Sequence, residues 1–540
     1  MNETVAARET CGEALVGLLE RYGVDTVFGI PGVHTLALYR GLAKSGIRHV
    51  LVRHEQGAAF AADGYARASG KPGVACVITG PGVTNAATGI GQAYSDSIPV
   101  LMISSVNETW SLARGSGRLH EMRDQRSLTA SITGFSATAQ TAAQVPGLLA
   151  KAYSLFAGER PRPVHIEIPL DVLEEAVGED WPVRPDSGQR PPDPQALAAA
   201  VELLRQAKRP LIVLGGGALE TAADLPALAE ILQAPVLTTV AAKGVLPESH
   251  ALAAGSALSM PSGRAFAGEA DCVLVLGSEL AETDLWTERL ELAGQVIRVD
   301  LDPDRLNDHY RAAVALAAHC GPTVTALVEA LRSATLDARD PNWGAAAVTR
   351  QHDACRAEFT PLMGRHDKVL SILREALPDN GLVMTDMTQI AYSGNVIFPV
   401  ERPRSWMHPQ GYGTLGYALP AAIGAKLGAP ERPVVALVGD AGFLYTLQEL
   451  ATAVEEELPL VVLLWNNDGL GQIRDDMIDR GFQQIAVSPR NPDYLALAKA
   501  FGARAERAES LEDLAIRLRA ALAHPGPVLL EVPDRIAPAD

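Results

Sequence analysis

Aromatic residues and cysteines are scarce in this sequence, and basic residues are outnumbered by acidic ones. Phe, Trp and Tyr make up 5% of the 540 residues, and the five cysteines are scattered and form no CxxC pair. This pattern argues against a disulfide framework or a zinc site and favours a reducing cytoplasm. The formal net charge of −18 argues against nucleic acid and anionic membrane surfaces as partners, because both require basic patches.

Long apolar runs are also missing from the chain. No stretch of about 18 apolar residues occurs, so we expect no membrane span. The N-terminal segment has no cationic region ahead of its apolar run, which predicts an amphipathic helix and not a signal peptide. The composition, 47% apolar and 20% charged, is that of a globular protein, and 540 residues are too many for one core.

What is present is a repeated alternation of β-rich runs and helical patterns. This rhythm predicts parallel sheets that are covered by helices on both faces. A segment rich in proline and polar residues, Trp181–Pro194, reads as a linker. We therefore predict an α/β protein with three doubly wound parallel-sheet domains in series, over residues 1–180, 195–333 and 360–540.

Two glycine-rich turns follow predicted strands. Leu214–Gly217 could open a dinucleotide site, but we favour the interpretation that its glycines only let a strand turn into a helix. Gly439–Phe443, GDAGF, stands between a buried strand and a predicted helix, FLYTLQELATAVEEE. Backbone N–H groups at such a turn form a natural diphosphate cradle, and Asp440 adds a carboxylate that could hold Mg²⁺.

A second polar turn, in WNNDGLG, lies 27 positions after Asp440. This distance is one crossover between parallel strands, so we expect both turns at the same sheet edge. Asn467 could supply a side-chain oxygen to a cation, and Gly469 could supply a backbone oxygen. The two turns together predict a magnesium site made of Asp440, Asn467 and Gly469.

These residues resemble the thiamine-diphosphate-dependent enzymes, whose signature is GDG followed by NN at crossover spacing. Here Ala441 replaces the last glycine of GDG. The stretches RHEQGAAFAADGYAR, GPGVTNAATGIGQAYSDSIPV and GYGTLGYALPAAIGAKLG are similar to the acetolactate synthase branch of the family. The resemblance implies a pyrimidine-binding, a middle and a diphosphate-binding domain, with thiamine diphosphate and Mg²⁺ as cofactors.

The resemblance also assigns roles to individual residues. Glu55 would select the pyrimidine tautomer that acts as a base, although a first-turn acid also suits a helix dipole. Leu415 would wedge under the cofactor, although it could simply be core. The other cofactor contacts implied are Gln389, Gly413, Asp440, Ala441, Gly442 and Asn467. Family precedent pairs Glu55 with Asp440 across two subunits, so we expect at least a homodimer, with a homotetramer common.

Polar residues replace the apolar substrate pocket of the synthases. Asp476 stands where a tryptophan would be, beside Asp475, and His120-Glu121 replace a Phe-Gln pair. Carboxylates would suit a guanidinium tail, and His120 could relay a proton. The pattern resembles the 5-guanidino-2-oxopentanoate decarboxylases. Alternatively, the two aspartates only cap a helix and His120 is structural.

The function predicted is decarboxylation of a small-molecule 2-oxoacid, 5-guanidino-2-oxopentanoate, to 4-guanidinobutanal, in arginine catabolism. An acetolactate synthase-type carboligase acting on pyruvate is the alternative, and a non-catalytic cofactor-binding protein is a remote one. The middle domain reads Gly277-Ser278-Glu279 where FAD-binding synthases carry Gly-x-Arg. We expect no tightly held FAD, because an acidic residue there disfavours a diphosphate.

Overall fold

The chain folds into three parallel six-stranded sheets in series, which confirms the predicted fold class. The computed structural model describes residues 9–178, 180–185 and 188–538. In this part of the chain, no helix combines the length and apolar character needed to cross a membrane. Residues 1–8 of the predicted N-terminal helix lie outside the described residues, and the helix itself begins at Cys11.

The first sheet has the strand order β2-β1-β3-β4-β6-β5. Its strands are β1 (Thr26–Gly29), β2 (Arg48–Leu51), β3 (Gly73–Val77), β4 (Val100–Val106), β5 (Phe135–Thr138) and β6 (Val164–Pro169). The helices of this region are α1 (Cys11–Arg21), α2 (Leu36–Leu42), α3 (Glu55–Ser69), α4 (Pro81–Ser95), α5 (Gln125–Ala130), α6 (Val145–Gly158) and α7 (Leu170–Leu173).

The second sheet has the order β12-β11-β10-β7-β8-β9. Its strands are β7 (Pro210–Leu214), β8 (Val236–Thr238), β9 (Ala253–Gly255), β10 (Cys272–Leu276), β11 (Gln295–Asp300) and β12 (Val314–Ala317). The accompanying helices are α8 (Pro194–Gln206), α9 (Leu225–Leu232), α10 (Pro261–Gly268), α11 (Glu282–Leu285), α12 (Cys320–Arg332) and α13 (Ala345–Ala357). Although α13 follows the predicted second range, its buried side chains join the core of this sheet, and the domain ranges stay predictions.

The third sheet has the order β14-β13-β15-β16-β18-β17. Its strands are β13 (Leu382–Thr385), β14 (Trp406–Met407), β15 (Val434–Gly439), β16 (Leu460–Asn466), β17 (Arg504–Arg507) and β18 (Val528–Pro533). Its helices are α14 (Pro361–Ala376), α15 (Gln389–Ile397), α16 (Ala418–Gly428), α17 (Asp440–Phe443), α18 (Glu449–Glu455), α19 (Gly471–Asp479), α20 (Tyr494–Phe501) and α21 (Leu511–Leu522).

Helices cover both faces of each sheet, so the central strands are buried throughout. In β7, for example, Ile212 and Leu214 join the core on one face, whereas Leu211 and Val213 join the core on the other. Strands that are buried on both sides read as continuous apolar runs in the sequence. This burial on both faces accounts for the continuous apolar runs of β7, β10, β15 and β16.

Close packing of α3 against α16 joins the first and third sheets within one chain. A Cβ on Gly64 would lie 2.0 Å from the backbone oxygen of Ala421, and one on Gly424 would lie 1.8 Å from that of Ala61. The two backbones therefore approach closely because glycine stands at both crossing points. A buried charge network supports the contact: Asp63 accepts hydrogen bonds from Arg67 on its own helix and from the Tyr417 hydroxyl beside α16.

We expect a Gly424→Ala substitution to push the two helices apart. Overpacking against the Ala61 oxygen should lower the free energy of unfolding by about 3 kcal/mol. Gly364 in α14 is a matched control, because nothing lies within 4 Å of a Cβ placed there. Alanine at Gly364 should be neutral or stabilising by up to about 1 kcal/mol. Thermal unfolding measures both variants, and equal melting temperatures for the two would contradict this packing.

Candidate active site

Polar residues follow three neighbouring strands of the third sheet. Asp386 comes directly after β13, Asp440 after β15, and Asn467 after β16. Gly439 pairs with Trp465 in parallel register, so the last two turns meet at one sheet edge. The strand order reverses between β13 and β15, and such a switch point is where open α/β sheets bind ligands.

Hydrogen bonds from the protein to one carboxylate oxygen hold Asp440 at this edge. It is 1% exposed, and its Oδ2 accepts hydrogen bonds from Gly469 N at 2.8 Å and from Asn491 Nδ2 at 2.7 Å. Burial raises the pKa of Asp440, while these donors oppose the rise. The other oxygen, Oδ1, faces the amide of Asn467.

A chain of hydrogen bonds that starts at a carboxylate fixes the direction of the Asn467 amide. A carboxylate only accepts, so Gln389 Nε2 donates to Asp475 Oδ2 at 2.7 Å. Gln389 then has only Oε1 to offer, and this atom accepts from Asn467 Nδ2 at 3.0 Å. The amide oxygen of Asn467 consequently points away from Gln389 and toward Asp440.

Three oxygens converge as a result. The Asn467 oxygen lies 2.9 Å from Gly469 O and 3.1 Å from Asp440 Oδ1. Turning the amide over would relieve these contacts, but it would place oxygen against Gln389 Oε1 at 3.0 Å. Six ligands around Mg²⁺, at about 2.1 Å each, have neighbouring oxygens about 3 Å apart. The spacing of the three oxygens therefore fits a small divalent cation.

The segment after Asp440 departs from the predicted single helix. It forms α17, a turn over residues 444–448, and then α18. The break allows Thr446 Oγ1 to donate to Gly416 O at 2.7 Å, which ties this segment to the Gly413–Gly416 turn. Ala441 lies within α17, and its backbone is not in the left-handed conformation. Alanine in place of glycine therefore causes no backbone strain at this position.

The Gly413–Gly416 turn is held by a residue that the sequence analysis missed. Gly413 and Gly416 have φ of +65° and +80°, and Leu415 between them is only half-buried. Asp386 Oδ1 accepts from Gly416 N at 3.0 Å. Burial raises the pKa of Asp386 to about 6, although backbone donors, first that of Met387, oppose the shift. The position of Asp386 directly after a buried strand was the signal that could have revealed it.

Glu55 and His120 lie at the corresponding edge of the first sheet. Glu55 begins α3, is 9% exposed, and accepts from Asn85 Nδ2 at 2.9 Å. The backbone of His120 packs on the turn after β3, since its oxygen is 2.5 Å from where a Gly80 Cβ would lie. The His120 ring meets the His34 ring edge-on at 5.2 Å, and burial together with His120 lowers the pKa of His34.

The predicted substrate carboxylates are not gathered into one cluster. Glu121 accepts from the backbone N–H groups of Arg118 at 2.9 Å and Ser116 at 3.1 Å, and these bonds lower its pKa. Asp475 is engaged by Gln389, as described above. Asp476 accepts from Gln472 Nε2 at 3.1 Å on its own helix.

Across the described residues of one chain, no hydrogen bond or ion pair connects Glu55, His120 or Glu121 to the Asp440 cluster. Each half of the predicted site is therefore formed separately, the first at an edge of the first sheet and the second at an edge of the third. Asn491, which anchors Asp440, also escaped prediction. It lies in a loop far along the chain and carries no local signal.

In the second sheet, the glycine turns that follow β7 and β10 occupy the crevice between these two strands. The strand order reverses between β7 and β10, where a nucleotide would otherwise bind. A Cβ on Gly215 would lie 2.3 Å from Gly277 O, so the two turns are in direct contact. Glu279 nearby forms a bidentate ion pair with Arg160 of the first domain, at 2.9 and 2.5 Å. These contacts support the packing interpretation of Gly215.

Comparison with known proteins gives three matches to one family along the chain. They are "Thiamine pyrophosphate enzyme, N-terminal TPP binding domain" at residues 9–128, the "central domain" at 197–327, and the "C-terminal TPP binding domain" at 386–532. The third match contains the Asp440 cluster and the second contains the crevice of Gly215. Glu55 and His120 fall in the first.

Whole-chain relatives agree with these matches. The chain is 56% identical to the probable 2-ketoarginine decarboxylase AruI of Pseudomonas aeruginosa, over 97% of this chain and 94% of the relative. It is 34% identical to the acetolactate synthase large subunit of Parasynechococcus marenigrum, covering 96% and 86% of the two chains. It is 32% identical to the acetolactate synthase isozyme 1 large subunit of Escherichia coli, covering 97% and 94%. The chain belongs to the thiamine pyrophosphate enzyme family.

Proposed function

We propose that the protein is a thiamine-diphosphate- and magnesium-dependent decarboxylase of 5-guanidino-2-oxopentanoate. The observation that carries this proposal is the 56% identity, over nearly the full length of both chains, to a relative named as a 2-ketoarginine decarboxylase. The acetolactate synthases reach only 34% or less among the relatives compared here. The reaction releases carbon dioxide and leaves 4-guanidinobutanal, which places the enzyme in arginine breakdown.

The residues at the edge of the third sheet fit both cofactors. Asp440, Asn467 and Gly469 would hold Mg²⁺ through the three converging oxygens. Ala441 and Gly442, in the first turn of α17, would offer backbone N–H groups to the diphosphate, beside the Gln389 side chain. When bound, thiamine diphosphate supplies the nucleophilic carbon and the electron sink for decarboxylation.

The residues around the Gly413–Gly416 turn would shape the other half of the cofactor site. Gly413 has a left-handed backbone conformation, and Leu415 would supply a half-buried apolar surface for the ring system to rest on. Asp386 keeps this turn in place through the Gly416 N–H group. Glu55 would bind the pyrimidine, since its only hydrogen-bond donor within the described residues is Asn85.

Because Glu55 makes no bond to the Asp440 cluster of its own chain, we propose that two copies complete each other's sites. A homodimer is then the smallest active unit, and a homotetramer is the assembly we expect. A cytoplasmic location is supported by the five free, buried cysteines. The absence of bound FAD is proposed from the packed Gly215–Gly277 crevice.

Product identification tests the proposed reaction directly. Purified protein with thiamine diphosphate and Mg²⁺ would receive 5-guanidino-2-oxopentanoate and pyruvate in parallel, with carbon dioxide and organic products measured. We expect faster turnover of the guanidino acid, with an aldehyde product. Preferential formation of acetolactate from pyruvate would instead identify a carboligase and refute the decarboxylase assignment.

The hydrogen-bond chain that orients Asn467 predicts a loss of Mg²⁺ affinity in Asp475→Asn. An asparagine at 475 can donate a hydrogen bond, so the side-chain amide of Gln389 can turn over. The side-chain amide of Asn467 can then turn over as well. We expect about tenfold weaker Mg²⁺ binding, the scale usual for residues that orient metal ligands. Asp479→Asn, an exposed carboxylate on the same helix, is the matched control.

The readout is the Mg²⁺ concentration that half-saturates thiamine diphosphate binding, followed by tryptophan fluorescence. Parent-like Mg²⁺ affinity in Asp475→Asn, or an equal loss in Asp479→Asn, would show that the chain of hydrogen bonds does not orient the ligand.

Complementation tests the shared site. Glu55→Gln and Asp440→Ala should each lower activity by about 100-fold or more, since each removes one half of the machinery. Glu55→Gln should still bind thiamine diphosphate. Co-expressed with different tags and purified as a mixed dimer, the two variants should regain activity, because one of the two sites then carries both native residues. A mixed dimer as inactive as its parents would place both residues in a site formed by one chain.

A further inference from the structure

A cavity of about 90 Å³ lies between the second and third domains. It is close to the Gly413–Gly416 turn, because Met387 lines it and Met387 Cε is 3.4 Å from the position of a Gly413 Cβ. The residues of its lining that matter here are Thr238, Asp284, Trp286, Met387, His408 and Gln410. Its position would let a substrate tail enter from the predicted reaction centre.

Three side chains of the lining carry oxygens that accept no hydrogen bond within the described part of the chain. Within the described residues, Asp284 makes no ion pair and no side-chain hydrogen bond, although protein surrounds it on most sides. Thr238 Oγ1 is buried without a partner. Gln410 Nε2 donates to Thr283 O at 2.5 Å, which leaves Gln410 Oε1 buried and unpaired as well.

The ionisable groups of the lining can carry a negative charge but not a positive one. Its lining contains no lysine or arginine, and burial lowers the pKa of His408 to about 3, so this ring stays neutral. Burial, with the nearby charges of Asp96 and Glu279, raises the pKa of Asp284 to about 7. Asp284 is half-buried. A carboxylate partly removed from water without a cation is unfavourable, and a bound cation would relieve that cost.

We propose that this cavity binds the guanidinium tail of the 2-oxoacid, with Asp284 as the pairing carboxylate. The inference rests on the proposed function and names the residue that would recognise its substrate. A guanidinium presents five N–H donors in one plane, which suits a carboxylate together with Thr238 Oγ1 and Gln410 Oε1. Trp286, 68% exposed at the rim, offers an aromatic face over which the cation can stack.

The cavity is large enough for the tail of the substrate. Its volume of about 90 Å³ exceeds what one water molecule needs, so there is room for a planar guanidinium group. The 2-oxoacid end would then remain outside, on the side of Met387 and Gly413, where the cofactor is expected. This division separates the residues that recognise the tail from those that hold the reacting carbonyl.

Asp475 and Asp476 were the sequence-based candidates for the same role. Asp475 is already bonded to Gln389, and one oxygen of Asp476 is bonded to Gln472. Asp476 is still near enough for its charge to act on Tyr392, another lining residue. Asp476 is therefore the alternative candidate for the carboxylate that pairs with the guanidinium tail, and an experiment must distinguish it from Asp284.

Steady-state kinetics of Asp284→Asn and Asp476→Asn separate the two. Each variant would be assayed with 5-guanidino-2-oxopentanoate and with 2-oxooctanoate, which has a tail of similar length and no charge. Loss of one partner of a buried charge pair should lower kcat/KM for the guanidino acid about 100-fold in Asp284→Asn. For 2-oxooctanoate, kcat/KM of Asp284→Asn should stay within about threefold of the parent value. For Asp476→Asn, kcat/KM should stay within about threefold of the parent value with both substrates. Thr238→Val, a milder change in the same cavity, should show the same selective loss at about tenfold.

Direct binding distinguishes failure of this inference from failure of the proposed function. Calorimetric titration with 4-guanidinobutanoate measures binding of a guanidinium tail to the cavity. This ligand has no 2-oxo group to react, so no turnover occurs. Binding by the parent and loss of binding in Asp284→Asn would support the proposed cavity site, whether or not the guanidino oxoacid is turned over. Absence of turnover would refute only the proposed reaction. Turnover of the guanidino acid that is unchanged in Asp284→Asn, or a selective loss in Asp476→Asn alone, would overturn the assignment of Asp284.

Discussion

The parallel pairing of neighbouring strands is the constraint on which the site depends. Since β15 and β16 run in the same direction and in register from Val434 and Leu460 onward, the residues that follow them emerge at the same edge. The strand β13 lies on the other side of β15 and brings Asp386 to that edge. Side chains far apart in the sequence are thereby gathered without any long loop having to fold onto the sheet.

At two places in the described part of the chain, oxygens without a donor lie beside the predicted reaction centre. At the first, the oxygens of Asp440, Asn467 and Gly469 face one another because the carboxylate of Asp475 dictates the orientation of the amides between. At the second, Asp284 stands in a cavity without a basic neighbour in its lining. Oxygens that are removed from water and lack a donor are unfavourable, and a bound cation would offset this cost at each place. The proposed metal ion and the proposed substrate tail would thus each supply a positive charge to such a place.

The sequence made much of this fold predictable, and the reasons for its failures are physical. The apolar runs of strands such as β15 and β16, and the spacing from Asp440 to Asn467, follow from local rules of burial and crossover length. Short edge strands such as β5 and β17 have no such run, so the local pattern does not predict them. Asp386 directly follows a buried strand and could have been found from that position. Asn491 and Asp284 were missed because the contact of the one and the proposed role of the other depend on the fold, which no local pattern records. Glu121 looked available in the sequence, but the backbone of its own loop occupies its carboxylate.

Diffraction from crystals grown with Mn²⁺ and thiamine diphosphate, recorded at a wavelength where manganese scatters anomalously, measures the central feature most directly. We predict an anomalous peak about 2.1 Å from Asp440 Oδ1, Asn467 Oδ1 and Gly469 O, with Gln389 still donating to Asp475. A peak elsewhere, or a bound cofactor with the Asn467 amide turned so that nitrogen faces Asp440, would contradict the converging-oxygen site.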